Sequence, residues 1–211
     1  MSRPLLLLCL LACGTFLSGL GRQAVTDADE AYYAEAAREM LESGDWLTPH
    51  LYYWLTAATY RVAGVGEGAA RLWSALSGFG LVWLTWAMAG PRRDARAAWL
   101  GGAIAATSFG YASMARQALP DLPLAFCITL GTWAALRATD ARRPRPAYAW
   151  WGLAGLGAGL GFLLKGPVAL VVPGVILLPI WWLERRDGLP SPAGLGVAAL
   201  VAVAAGAPWY V

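Results

Sequence analysis

Between Thr26 and His50 the chain reads TDADEAYYAEAAREMLESGDWLTPH and holds seven of its thirteen acidic residues: Asp27, Asp29, Glu30, Glu35, Glu39, Glu42 and Asp45. Carboxylates at this density can remove a proton from a reacting hydroxyl, hold a cation or cap a helix. Asp27 as N-cap with Glu30 three residues on makes a capping box, and Asp29 in the first turn is favoured by the helix macrodipole, so the cluster also has an account without chemistry. His50, the sole histidine, cannot form a metal site alone, although neighbouring carboxylates leave a weak divalent-cation site open. On the cationic side, Lys165 is the only lysine and ends the apolar run GLAGLGAGLGFLL. An ionisable residue at such a boundary either binds an anionic group or snorkels to the surface. Arg61 and Arg71 carry the same two readings, phosphate contact or snorkelling. Asp121, in ALPDLP, either shapes a pocket or is an ordinary acid at a helix start.

The elements that must position these residues belong to a membrane. Of 211 residues, 58% are hydrophobic and 14% charged, with mean hydropathy +0.51, against about a quarter charged in soluble domains. The net charge of +3 invites a nucleic-acid reading, but the basic residues are almost all arginines in short clusters between apolar runs, which is a topology signal. Cys9, Cys13 and Cys127 lie inside apolar runs without metal-ligand spacing and read as small hydrophobes.

The start, MSRPLLLLCLLACGTFLSGL, raises a cleaved signal peptide, with a weak lipoprotein box at Leu10 to Cys13. Its apolar run continues from Pro4 to Leu20, near the lower limit for a span, and reads as an uncleaved first helix. Further runs of spanning length lie at about 70–90, 97–115, 121–137, 147–164, 167–183 and 193–211, giving about seven transmembrane helices. With Arg3 inside, 92–96, 138–146 and 184–190 follow it. Ten basic residues then face inward, and Arg22, Arg38, Arg61, Arg71, Arg116 and Lys165 face outward.

LYYWLTAATYRVAG, 51–64, is too short to span and would reverse every later loop if it did, so it reads as an interfacial helix with Tyr52, Tyr53 and Trp54 at headgroup level. Residues 21–69 then form one external loop with two surface helices. In the first helix Tyr33, Ala36, Ala37, Met40 and Leu41 make one apolar stripe and Gly44 is a natural stop, so it is expected to lie flat on the bilayer. The expectation is an all-α, polytopic membrane protein with a single transmembrane domain over 1–211 and no soluble carboxy-terminal domain.

Four stretches, TDADEAYYAEAAREMLESGDWLTPH, YYWLTAATYRVAGVGEGAARL, RQALPDLPLAF and GLGFLLKGPVALVVP, together resemble the N-terminal half of glycosyltransferases of the GT-C fold that use polyprenyl-phosphate sugars. Within that group the aminoarabinose transferase and protein O-mannosyltransferase branch is the most similar. The resemblance implies sugar transfer from a polyprenyl-phosphate donor to a lipid, glycan or protein acceptor, at the outer face of a bacterial inner membrane. It places Asp29 at the catalytic position, with Glu30 completing the pair. Lys165, Arg71 and Arg61 become candidates for the donor phosphate, and Asp121, Asp45 and His50 candidates for the pocket. No nucleic-acid partner and no certain cofactor follow from it.

The chain departs from the family at two places. TPHL runs straight into YYWL, omitting about ten residues that end in Lys-Pro-Pro-Leu. The chain also stops at GAPWYV where relatives continue, so an internal deletion and a C-terminal truncation are expected. Two other classes compete: a non-catalytic scaffold or lipid-binding relative, which the missing lysine favours, and a transporter, which the scarcity of charges inside the spans disfavours.

Overall fold

A computed structural model describes residues 3–46, 50–90, 94–141, 143–184 and 190–207. Arg92, Arg93, Arg142, Arg185 and Arg186, which carry much of the expected topology signal, lie outside the described residues, as do Leu47, Thr48 and Pro49. Among the described residues all regular structure is helical. The chain forms two compact units, Met1–Phe126 and Cys127–Val211.

In the first unit α1 (Arg3–Phe16) buries Leu8, Ala12 and Phe16, one residue per turn, against α4 (Glu67–Met88) and α5 (Ala95–Thr107). The helix ends at Phe16, four residues short of the apolar run, and turns fill 17–22. Asp94 caps α5 by accepting from the amides of Arg96 and Ala97, each at 2.9 Å. The expected span 97–115 is broken: Ser108, at φ −63° and ψ 127°, separates α5 from α6 (Phe109–Met114). That extended backbone at a single residue ends the α5 ladder.

Both helices of the expected external loop are present, as α2 (Ala28–Ser43) and α3 (Leu51–Ala63). Gly44 stops α2 at φ 73°, its amide donating to the Met40 carbonyl, a left-handed cap that favours glycine. The apolar stripe on α2 is real, but Ala37 and Met40 are buried by protein, with α2 packed on α3. Tyr52 is likewise covered by protein. It is fully buried, because α3 turns Tyr52, Tyr53, Thr56, Ala57 and Tyr60 inward.

In the second unit α8 (Pro144–Lys165) packs closely on α10 (Pro192–Gly206), while α9 (Val168–Glu184) contains Pro173 and Pro179. Gly155 and Gly159 of α8 face Ala198 and Ala202 of α10, and a Cβ at Gly159 would stand 2.6 Å from the Ala202 carbonyl oxygen. Small residues four apart let two backbones approach without side chains between them. Among the described residues, α7 (Asp121–Thr139) and α8 are long and apolar enough to cross a bilayer, and Pro4–Phe16, Val168–Leu183 and Pro192–Gly206 are apolar but shorter. The count of seven spans is therefore not reached on length and composition.

Candidate active site

Glu30 opens α2 but does not close a capping box. Asp27 caps the helix by accepting from the Asp29 amide at 2.9 Å, whereas the Glu30 carboxylate turns inward to Arg71 on α4. Arg71 Nε donates to Glu30 Oε1 at 2.5 Å and Nη2 to Oε2 at 3.1 Å, a two-point fork with side-chain exposures of 3% for Arg71 and 5% for Glu30. The remaining guanidinium hydrogens go to carbonyls: Nη1 to Leu20 and Gln23, at 3.0 and 2.6 Å, and Nη2 to Ala24 at 3.4 Å. Glu30 Oε1 also accepts the Ala118 amide at 2.9 Å. One buried pair thus ties together the start of α2, the segment after α1, the start of α4 and the segment before α7. A capping box yields here because a buried guanidinium left unpaired would cost far more than an uncapped amide near solvent.

Arg116 does related work nearby, its Nη1 donating to the carbonyls of Thr15 and Ser18 at 3.3 and 2.7 Å. A cation at a helix carboxyl end meets both the orphan carbonyls and the negative end of the dipole. Beneath α2, the Tyr52 hydroxyl donates to the Ala70 carbonyl at 3.0 Å and lies 3.1 Å from the Ser74 hydroxyl, which donates to Leu119 at 2.8 Å. Burial raises the Tyr52 phenol well above its ordinary range, and burial first, then the Glu35 charge, raises Tyr60. Tyr33 packs against Tyr52, Tyr53 and His50, and His50 stacks on Tyr53 at 4.6 Å.

Beside this buried pair, in the first turn of α2, Asp29 is exposed and its carboxylate has no hydrogen bond or ion pair among the described residues. One turn further along α2, Tyr32 begins a cleft of about 340 Å³ lined also by Glu35, Ala36, Glu39, Met40, Ser43, Asp45 and Tyr53. A second cleft of about 320 Å³, including Tyr60, Gly66 and Glu67, lies between α2 and the start of α4.

The sequence-predicted residues therefore divide. Glu30 and Arg71 come together, but with each other and with backbone, so every N–H of Arg71 is used by protein and none is left for a phosphate. Asp45 lines the cleft on α2, and His50 joins the aromatic packing at the start of α3. Arg61 is exposed in the last turn of α3 and Asp121 sits in the first turn of α7. Lys165 is exposed as the last residue of α8, before Gly166 at φ 68°. Among the described residues no three His, Cys, Asp or Glu side chains are grouped to hold a metal. Arg116 and the Tyr52–Ser74 pair were not anticipated. Arg116 had a signal, a lone arginine directly after an apolar run, whereas Ser74 had none.

The fold is that of the GT-C class of membrane glycosyltransferases. The chain belongs to the dolichyl-phosphate-mannose-protein mannosyltransferase family, whose sequence pattern matches residues 48–211. It is 32% identical over 199 residues to undecaprenyl phosphate-alpha-4-amino-4-deoxy-L-arabinose arabinosyl transferase 1 of Pseudomonas fluorescens, covering 86% of this chain and 34% of that protein. The corresponding transferase of Pectobacterium atrosepticum is 30% identical, with 92% and 37% covered. ArnT from Cupriavidus metallidurans in the apo state superposes with a TM-score of 0.88 at 27% identity, over 98% of this chain and 41% of that one. The same protein bound to undecaprenyl phosphate gives a TM-score of 0.80 at 26% identity, over 98% and 40%. The chain thus spans between a third and about two fifths of the length of these relatives.

Proposed function

We propose that this chain takes part in transferring a sugar from a polyprenyl-phosphate donor to an acceptor at the outer face of a bacterial inner membrane, with Asp29 as the catalytic carboxylate. The observation that carries this reading is the contrast at the head of α2: Glu30 is sealed into the Arg71 fork while its neighbour Asp29 stands exposed with its carboxylate uncommitted among the described residues. A carboxylate with free lone pairs on a rigid helix start can accept a proton. A hydroxyl acceptor would attack the anomeric carbon as Asp29 removes its proton. The bond from that carbon to the phosphate oxygen breaks, and its electron pair leaves with the polyprenyl phosphate. For a phosphate acceptor Asp29 would orient without deprotonating. Lys165 is the exposed cation proposed to meet the departing phosphate. Glu30 and Arg71 act in this scheme by positioning Asp29, and Arg61, Asp121, Asp45 and His50 carry no assigned step. The donor class draws on the likeness to ArnT from Cupriavidus metallidurans bound to undecaprenyl phosphate.

The test is transfer of labelled sugar from a polyprenyl-phosphate donor in membranes containing wild type or Asp29→Asn. The substitution keeps the shape and is expected to lower the rate about 10²–10⁴-fold, with thermal stability unchanged because Asp29 is exposed. Undiminished transfer removes Asp29 from the role. Donor binding without transfer by wild type would support the non-catalytic lipid-binding reading, which the missing Lys-Pro-Pro-Leu stretch favours.

A further inference from the structure

We propose that the turn joining α7 to α8 binds the headgroup of an anionic phospholipid. Both helices are long and apolar enough to cross a bilayer, so the turn between them lies at a membrane surface. Three arginines crowd it: Arg137 in the last turn of α7, Arg143 immediately before α8 and Arg145 in its first turn. All three are exposed, and none forms an ion pair among the described residues. Asp140 is the one acid described in the same turn, so positive charge is in excess.

The aromatic residues set the depth. Trp133 and Trp150 lie six residues from the ends of α7 and α8 at this turn, about 9 Å below them at 1.5 Å per residue. That is the level at which tryptophan collects between headgroups and acyl chains. The two rings meet edge to face, 5.3 Å apart at 71°, and the Arg137 guanidinium stands 5.7 Å over the Trp150 ring. Stacking holds Arg137 by its flat face and leaves its edge N–H groups available, whereas Arg71 has all of its own consumed by protein. A planar donor braced on an aromatic belt, with two more guanidinia across the turn, fits a phosphodiester at headgroup height. A zwitterionic headgroup fits less well because its ammonium meets the same excess of cations.

The test uses the purified 211-residue chain in detergent, titrated with short-chain phosphatidylglycerol, phosphatidylcholine or inorganic phosphate, with bound lipid read by native mass spectrometry. Each cation near an anionic surface contributes a factor of about five. The triple variant Arg137→Gln/Arg143→Gln/Arg145→Gln is therefore expected to lose about a hundredfold in phosphatidylglycerol affinity. Arg38→Gln, which removes one exposed and already ion-paired charge elsewhere, leaves it unchanged. The triple lysine variant keeps charge but not the planar fork and should retain most of the binding, which keeps the test valid if the glutamine variant folds poorly. Equal retention of phosphatidylglycerol and phosphatidylcholine by wild type, undiminished binding by the glutamine variant, or equally tight inorganic phosphate would each overturn the proposal.

Discussion

Replacing Arg71 by methionine removes five N–H donors from a place where all five are used. Methionine fills much of the arginine stem, so the loss is concentrated in the polar end. Three carbonyls lose their donor, and Glu30, 5% exposed in its side chain, keeps a charge with only the Ala118 amide to meet it. Removing one partner of a buried ion pair costs about 3–5 kcal/mol. At about 2–4 °C per kcal/mol for a chain of this size, the melting temperature in detergent should fall by about 6–20 °C. Glu30→Met should cost a similar amount. The double variant leaves no unpaired charge, so its loss should fall short of the sum of the singles by roughly 2–3 kcal/mol. Arg71→Lys keeps charge but has three donors and no fork, and should lie between. A fall under about 2 °C for Arg71→Met, or strict additivity in the cycle, would refute the clamp. If Arg71 instead served the donor phosphate, its loss would abolish stabilisation by added polyprenyl phosphate and leave the unliganded melting temperature unchanged.

Lys165→Met should weaken polyprenyl-phosphate binding about tenfold or more, the worth of one charge-assisted contact, with Lys165→Arg intermediate; equal affinity in all three forms would leave Lys165 as a surface-seeking helix end. Gly159→Leu should destabilise by about 1–3 kcal/mol by driving α8 from α10, while Gly152→Ala, with nothing within 4 Å, should be neutral or slightly stabilising in the same melting assay. Tyr52→Phe should cost about 1–2 kcal/mol by stripping the Ala70 carbonyl of its donor. The folded Tyr52 phenol titrates above the ordinary tyrosine value of 10.0, so its stabilisation is complete below that pH and fades as pH rises toward the folded value. Tyr52→Phe should accordingly flatten part of the alkaline fall in stability seen by a pH series of melts.

Local periodicity made much of this legible. The stripe on α2, its stop at Gly44, the helix at 51–63 and the end of α8 at Lys165 all follow from patterns within a few turns. What escaped depends on distance along the chain. Glu30 and Arg71 are 41 residues apart, and at short range Glu30 reads as a capping-box residue because that rule sees only the next three positions. The burial of Tyr52 was missed for a related reason: an apolar aromatic stripe looks the same whether lipid or protein covers it, and only the partners Ala70 and Ser74 decide. The break at Ser108 carries no proline to announce it. The assignment of Asp29 came from resemblance, and burial adds only that its neighbour is committed elsewhere.

Arg116 has a consequence for the order in which the protein is made. Its bond to the Ser18 carbonyl joins residues 98 positions apart, and the Arg71 bond to Leu20 joins residues 51 apart. At roughly 5–20 residues per second of synthesis, the carboxyl end of α1 waits about 5–20 seconds for the guanidinium that satisfies it. During that interval those carbonyls need another donor, from water or a polar headgroup. Closure of the hub at Glu30 is therefore a late event, timed by the emergence of Arg116 and Ala118, so the surface helix with Asp29 becomes fixed only after α4 and α5 have been synthesised.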